Sequence, residues 1–117
     1  MDKFWLKEPI EHDFPAAEDF LELLFSIDES KMHVEKLRQA HTIVKKSKDI
    51  LRASSLSLLP KDNVHVKEDR KKVKDGGKLS PVLLVKKNDK LIIADGYHRV
   101  CATYYLSEDL EIPCRLV

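Results

Sequence analysis

The spacing of apolar positions along the chain changes period several times, and each change predicts a different element. Before residue 15 no regular spacing holds. Phe4, Trp5 and Phe14 stand among Pro9 and several acids, an irregular arm that packs by its aromatic side chains. Pro15 suits a first helical turn with Asp13 or Phe14 at the cap, and Ala17, Phe20, Leu21 and Leu24 recur at the i, i+3, i+4, i+7 spacing of a buried stripe. Ser26 and Glu29 have the spacing of a capping box, so a second helix is expected from about Ile27 to Gln39 with Met32, Val34 and Leu37 inward. The two make an acidic helical hairpin.

The β-branched stretch His41 to Lys45 predicts a first strand, and Ser47 to Ala53 a short helix. Leu56 to Pro60 is a connector expected to stay buried by its leucines. Asn63 to Lys74 are helix formers with Val66 and Val73 inward, capped by Asp62 or Asn63 and stopped by Gly76-Gly77. Pro81 to Val85 is nearly all apolar, as a central strand buried on both faces would be, and Asn88-Asp89 turns it back through Leu91 to Ala94. After Gly96 the period becomes helical, with Tyr97, Val100, Cys101, Tyr104 and Tyr105 in a stripe, and Glu111 to Val117 closes as a last strand. This order predicts an α+β fold in a single domain: residues 1–40 an arm and hairpin, residues 41–117 the core.

A chain of 117 residues and 13.5 kDa fits one domain, with no room for two independent hydrophobic cores or a separate cofactor domain. Its apolar runs are far shorter than the roughly 20 residues that cross a bilayer. Its start turns acidic before a signal-peptide core forms, so the expectation is a cytoplasmic protein with no membrane contact. Cys101 and Cys114 read as small buried hydrophobes, and His12, His33, His41 and His65 lack ligand spacing, so no metal site built from them is expected. Charge is more informative. The net charge of +1 conceals nine acids against two bases in residues 1–30, seven against seventeen in residues 31–90, and four against two thereafter. Either the acidic N-terminal segment lies on the basic middle, or the basic surface receives an anion.

The strand-to-helix turn Asp95-Gly96-Tyr97-His98-Arg99 concentrates the chemistry. Asp95 can cap the helix, Gly96 lets a ligand approach backbone N–H groups, and His98 and Arg99 stand in a first turn where the macrodipole already disfavours cations. A phosphate would satisfy all of these together. Equally, Arg99 can pair with a carboxylate of the N-terminal hairpin, with His98 a half-buried histidine.

Lys78-Leu79-Ser80-Pro81-Val82-Leu83-Leu84-Val85, then Leu91-Ile92-Ile93-Ala94-Asp95-Gly96-Tyr97-His98-Arg99-Val100-Cys101-Ala102, ending in Ile112-Pro113-Cys114-Arg115, resembles the ParB/sulfiredoxin fold over residues 41–117. The whole chain looks like a small bacterial family of ParB-like proteins. The resemblance implies a small mixed sheet with helices, here preceded by the hairpin, and nucleotide phosphates at the glycine-containing turn. ParB binds CTP there, sulfiredoxin ATP, and the related free-serine kinases ADP. By position Gly96, His98 and Arg99 inherit the phosphate contacts. Sulfiredoxin's catalytic cysteine falls where this chain has Tyr97, which removes sulfinic-acid reduction. The Arg-Arg pair of ParB is absent, no helix-turn-helix domain fits, and no carboxylate cluster suits a two-metal nuclease.

The resemblance therefore leads toward ATP/ADP-dependent phosphotransfer or nucleotide hydrolysis with Mg²⁺, with CTP as another candidate nucleotide. Asp95 would hold the metal or act as base, Lys48 and Arg52 would add basic contacts one helical turn apart, and Asp49 is a second candidate base. The competing class is a non-catalytic module in which a nucleotide or another anion only stabilises the fold and the hairpin docks a partner or a second copy, and DNA binding is a third class. The run from Lys67 to Lys74 interleaves acids with bases and offers no aromatic side chain for base stacking, so a solvated helix face is favoured over DNA binding.

Overall fold

The run predicted as a central strand is the element on which both cores are built. In β2 (Val82–Lys87) Val82 and Leu84 face one layer, while Leu83 and Val85 face the other, and all four are buried. The computed structural model, which describes residues 3–117, is an α+β fold of five helices and a four-stranded mixed sheet among those residues. Sheet order is β1 (Ile43–Lys46), β4 (Glu111–Leu116), β2, β3 (Lys90–Asp95). The β1/β4 and β2/β3 pairs are antiparallel and β2/β4 is parallel. The β2–β3 hairpin turns at Asn88, whose φ of +57° lies in the left-handed region that asparagine tolerates.

One face of the sheet carries α3 (Ser47–Ser54), α4 (Val64–Lys74) and α5 (Tyr97–Tyr104), which bury Ile50, Leu51, Val66, Val100 and Cys101 against Val82, Leu84, Ile93 and Ile112. The other face carries the hairpin of α1 (Asp13–Leu21) and α2 (Ile27–Gln39), which bury Phe14, Ala17, Leu21, Val34 and Leu37 against Leu83, Val85, Ile92 and Ala94. The capping box at α2 is formed as expected: Ser26 Oγ accepts from the Glu29 amide, and Glu29 reaches back to the Ser26 amide. Asn63 caps α4 through its side chain. No helix is long and apolar enough to cross a membrane among the described residues.

Three details differ from the expectations. Helix α1 begins at Asp13, and Phe14 sets the phase of its inward face, so Phe20 and Leu24 are exposed and only Ala17 and Leu21 of the expected stripe are buried. In α2 the inward face runs through Ser30, Val34 and Leu37, leaving Met32 exposed. Of the connector's leucines only Leu59 packs against the core, while Leu56 and Leu58 are exposed. The Tyr97 and Tyr105 hydroxyls, on one face of the α5 segment, hold the connector further by donating to the carbonyls of Ser57 and Leu59.

The acidic N-terminal segment does lie on the rest of the chain. Backbone bonds join Leu6 N to Leu79 O and Leu79 N to Phe4 O, each 2.8 Å, and bring Trp5 into the core. Glu11 pairs with Arg38 at 2.6 Å. Buried Arg115 reaches from β4 to Glu8, donates to the carbonyls of Leu37 at 3.1 Å and Arg38 at 2.8 Å, and meets Thr42 Oγ1 at 3.3 Å. Arg115→Met keeps the volume of the side chain but leaves two carbonyls at the end of α2 without their donor. Urea unfolding should show a loss of about 3 kcal/mol, whereas a surface ion pair alone would cost under about 1 kcal/mol.

Candidate functional site

Asp95 ends β3 and Gly96 opens α5, and the chain is irregular where they meet. The β2/β3 register shifts between Leu83, opposite Asp95, and Leu84, opposite Ile93, so Ala94 is an extra residue in β3. Bulges of this kind redirect the side chain that follows. Gly96 then takes φ +111°, a left-handed conformation that glycine adopts without strain. A Cβ at this position would lie 2.8 Å from Arg99 Nη2 and 3.0 Å from Val82 Cγ2. The absent side chain therefore makes room for the guanidinium first.

Arg99 is the hub of the site. Its Nη2 donates to Asp95 Oδ2 at 2.8 Å, one turn earlier, and lies 3.5 Å from Asp13 Oδ2 at the start of α1. The guanidinium is only 16% exposed and the Asp13 side chain 6%. So Asp95 does not cap α5, whose start has no side-chain cap, and its carboxylate is spent on Arg99. The pairing of Arg99 with the hairpin is realised through Asp13. The cluster is nonetheless incompletely hydrogen-bonded, because Arg99 Nε and Asp13 Oδ2 are buried without a hydrogen-bond partner. Buried polar atoms in that state are uncommon in folded proteins.

Beside Gly96 opens a cleft of about 230 Å³ lined by His65, Glu68, Asp69, Asp95, Gly96, His98 and Arg99. Helix α4 contributes its acidic flank, a contribution the linear reading of residues 67–74 missed. The signal was available: Asp69 stands one turn after inward-facing Val66, at the margin of the buried face. The rings of His65 and His98 lie 4.8 Å apart.

Burial sets the protonation of the cleft. It pushes the Asp95 carboxyl above its ordinary range against the pull of Arg99, and the neighbouring Asp13 adds to the rise. Burial likewise raises Asp69, opposed by Arg99 and His98. His98 is lowered, chiefly by burial and then by His65, with Asp69 opposing, so its imidazole is neutral at neutral pH. The cleft thus offers one guanidinium, a neutral imidazole and several carboxylates.

The other candidates lie elsewhere. Lys48 pairs with Asp109 at 2.7 Å and Arg52 with Asp49 at 3.3 Å, and none of Lys48, Arg52 or Asp49 lines the cleft. Asp49 instead borders a separate hollow with Ile50, Ala53 and the β2–β3 turn. Cys101 is fully buried, and its thiol is pushed up by that burial, which fits a core residue and not a nucleophile. Among the described residues no group of three or more His, Cys, Asp or Glu side chains is arranged to hold a metal ion.

Because Asp69 has a raised pKa, the folded state retains a proton that the unfolded state releases at pH values just above 3.8. Stability therefore falls as pH rises through that window. Asp69→Asn should melt higher than the wild type at neutral pH, and the difference should vanish below pH 3.8. Thermal melts across this range check it, and equal melting temperatures at neutral pH would contradict it.

No protein-family model matches the chain, and neither a curated protein nor a solved structure does.

Proposed function

We propose that the cleft at the β3–α5 turn receives the phosphate end of a nucleotide, ATP, ADP or CTP, as its magnesium complex. The observation that carries this reading is Arg99, which lines an acid-lined cleft with Asp95 while its Nε makes no hydrogen bond. A bare phosphate would meet Arg99 but also Glu68, Asp69 and Asp95, and the repulsion would oppose it. A divalent cation reverses that balance. Mg²⁺ is commonly held by one or two carboxylates together with substrate phosphates, so a donor set too small to hold the ion alone suits a metal that arrives with its ligand. Asp95 and Asp69 are the residues that would hold it, with Arg99 and His98 toward the phosphate oxygens. The volume supports the same division, since about 230 Å³ is below the ~300 Å³ at which small-molecule pockets begin. The base would lie outside.

The resemblance to ParB- and sulfiredoxin-like proteins supports a nucleotide at this turn and extends the reading to phosphotransfer or hydrolysis. Where Asp69 alone holds the metal, Asp95, with its proton affinity raised by burial, is the group suited to take a proton from an attacking hydroxyl. Magnesium, when bound, would neutralise charge on the transferred phosphate. A second reading is a non-catalytic module, favoured by one specific observation: Arg99 is already neutralised within the fold and joins α1 to α5, a structural task in its own right.

Thermal shift with ATP, ADP and CTP separates these readings. At a ligand concentration a hundred times Kd, binding should stabilise the chain by about 2.7 kcal/mol, with Mg²⁺ and not in EDTA, and His98→Gln with Asp69→Asn should abolish the shift. An equal shift in EDTA would contradict the metal-dependent reading. A shift without release of phosphate or a phosphorylated product would favour the module.

A further inference from the structure

A second cavity, about 630 Å³ and larger than the cleft, lies on the opposite flank of α4. Its cations are Lys3, Lys67, Arg70, Lys71 and Lys74, and its apolar floor is Phe4, Val73, Ala102 and Leu106. No carboxylate lines it. Along the sequence the acids and bases of α4 interleave, but on the helix they separate: Glu68 and Asp69 turn to the cleft, while Lys67, Arg70, Lys71 and Lys74 turn to this groove. Lys71 is 3.9 Å from Asp75, and the other four cations make no ion pair among the described residues.

The chain also carries the complement of this groove. Residues 8–30 contain eight acids and no Lys or Arg. Glu8, Glu11 and Asp13 are taken by Arg115, Arg38 and Arg99, but Glu18, Asp19, Glu22 and Asp28 make no ion pair among the described residues. Between them the α1–α2 turn exposes Phe20, Leu23, Leu24 and Ile27, with Leu23 80% exposed. The helix ends add to the match. Asp19 and Glu22 stand at the C-terminal end of α1, where the macrodipole favours cations, and the last turn of α1 supplies no base. These are two surfaces of opposite charge, each with apolar side chains at its centre.

We propose that the α1–α2 turn of a second copy of this chain docks into the basic groove beside α4. Leu23 and its apolar neighbours would cover Phe4, Val73 and Leu106, while Glu18, Asp19 and Glu22 approach Lys67, Arg70, Lys71 and Lys74. Opposed charges then set register and rate of encounter, and the apolar centre supplies the contact that excludes water. Because turn and groove are different patches, the contact is heterologous, and each copy can offer both. The cleft at Gly96 takes no part.

Sedimentation equilibrium at low salt tests this. Wild-type average mass should rise above 13.5 kDa with concentration and fall back toward one chain at 1 M salt, where the Debye length is about 3 Å. Lys67→Glu with Lys71→Glu, which spoils the groove, and Glu22→Gln with Leu23→Asn, which spoils the turn, should each weaken association at least ~10-fold with unchanged thermal melts. Mixed in equal amounts, the two variants should form a particle of twice the single-chain mass, because one keeps a working turn and the other a working groove. A wild type that stays monomeric at millimolar concentration would overturn the proposal. So would variants that associate like the wild type, or a mixture that stays monomeric.

Discussion

The ion cluster of Arg99, Asp95 and Asp13 is the constraint on which the arrangement of the site depends. It is the point where three elements from different layers are tied together: β3 ends in Asp95, α5 begins beside Arg99, and α1 begins at Asp13 on the far side of the sheet. Gly96 serves this cluster, because any larger residue would displace both the guanidinium and the Val82 side chain. A buried ion pair of this kind contributes little net stability compared with apolar packing, yet losing one partner costs about 3–5 kcal/mol by stranding a charge. The hairpin, the sheet end and the site therefore form one unit.

That unit also decides what the cleft can bind. An arginine beside free helix amides suggests an anion site, but with Asp13 and Asp95 already at the guanidinium, and Glu68 and Asp69 across the cleft, the balance of charge favours a cation or a cation–phosphate complex. Burial raises the carboxyls of Asp95 and Asp69 and lowers the imidazole of His98, so desolvation works against charge on all three groups. A cation at the carboxylates would oppose the rise at Asp95 and Asp69, and a phosphate beside His98 would oppose the lowering of its imidazole.

The elements were legible in the sequence wherever local chemistry and tertiary packing agreed. The run from Val82 to Val85 announced a strand buried on both faces, and Ser26 with Glu29 and Asn63 announced their helices through capping groups that the structure uses. The phase of α1 was not legible from residues 17–24 alone, because Phe14 sets it. The site was half legible. Asp95, Gly96, His98 and Arg99 are adjacent in sequence and stay together, whereas Asp13 and Asp69 reach the site through the topology, from residues 82 and 30 positions away from Asp95 and Arg99 in sequence. The segregation of charge on α4 was hidden for a related reason: a helix sorts by angle what a sequence shows by order.

The central claim is that the acid-lined cleft beside Gly96 accepts phosphate only together with a divalent cation. A crystal structure of the chain grown with ADP and Mn²⁺ tests it most directly, because manganese is located by its anomalous signal. The expected result is an anomalous peak in the cleft beside the carboxylates of Asp95 or Asp69, with the ADP phosphates toward Arg99 and His98. Phosphates bound in the cleft without the metal, or bound only in the basic groove beside Lys67 and Lys71, would contradict it.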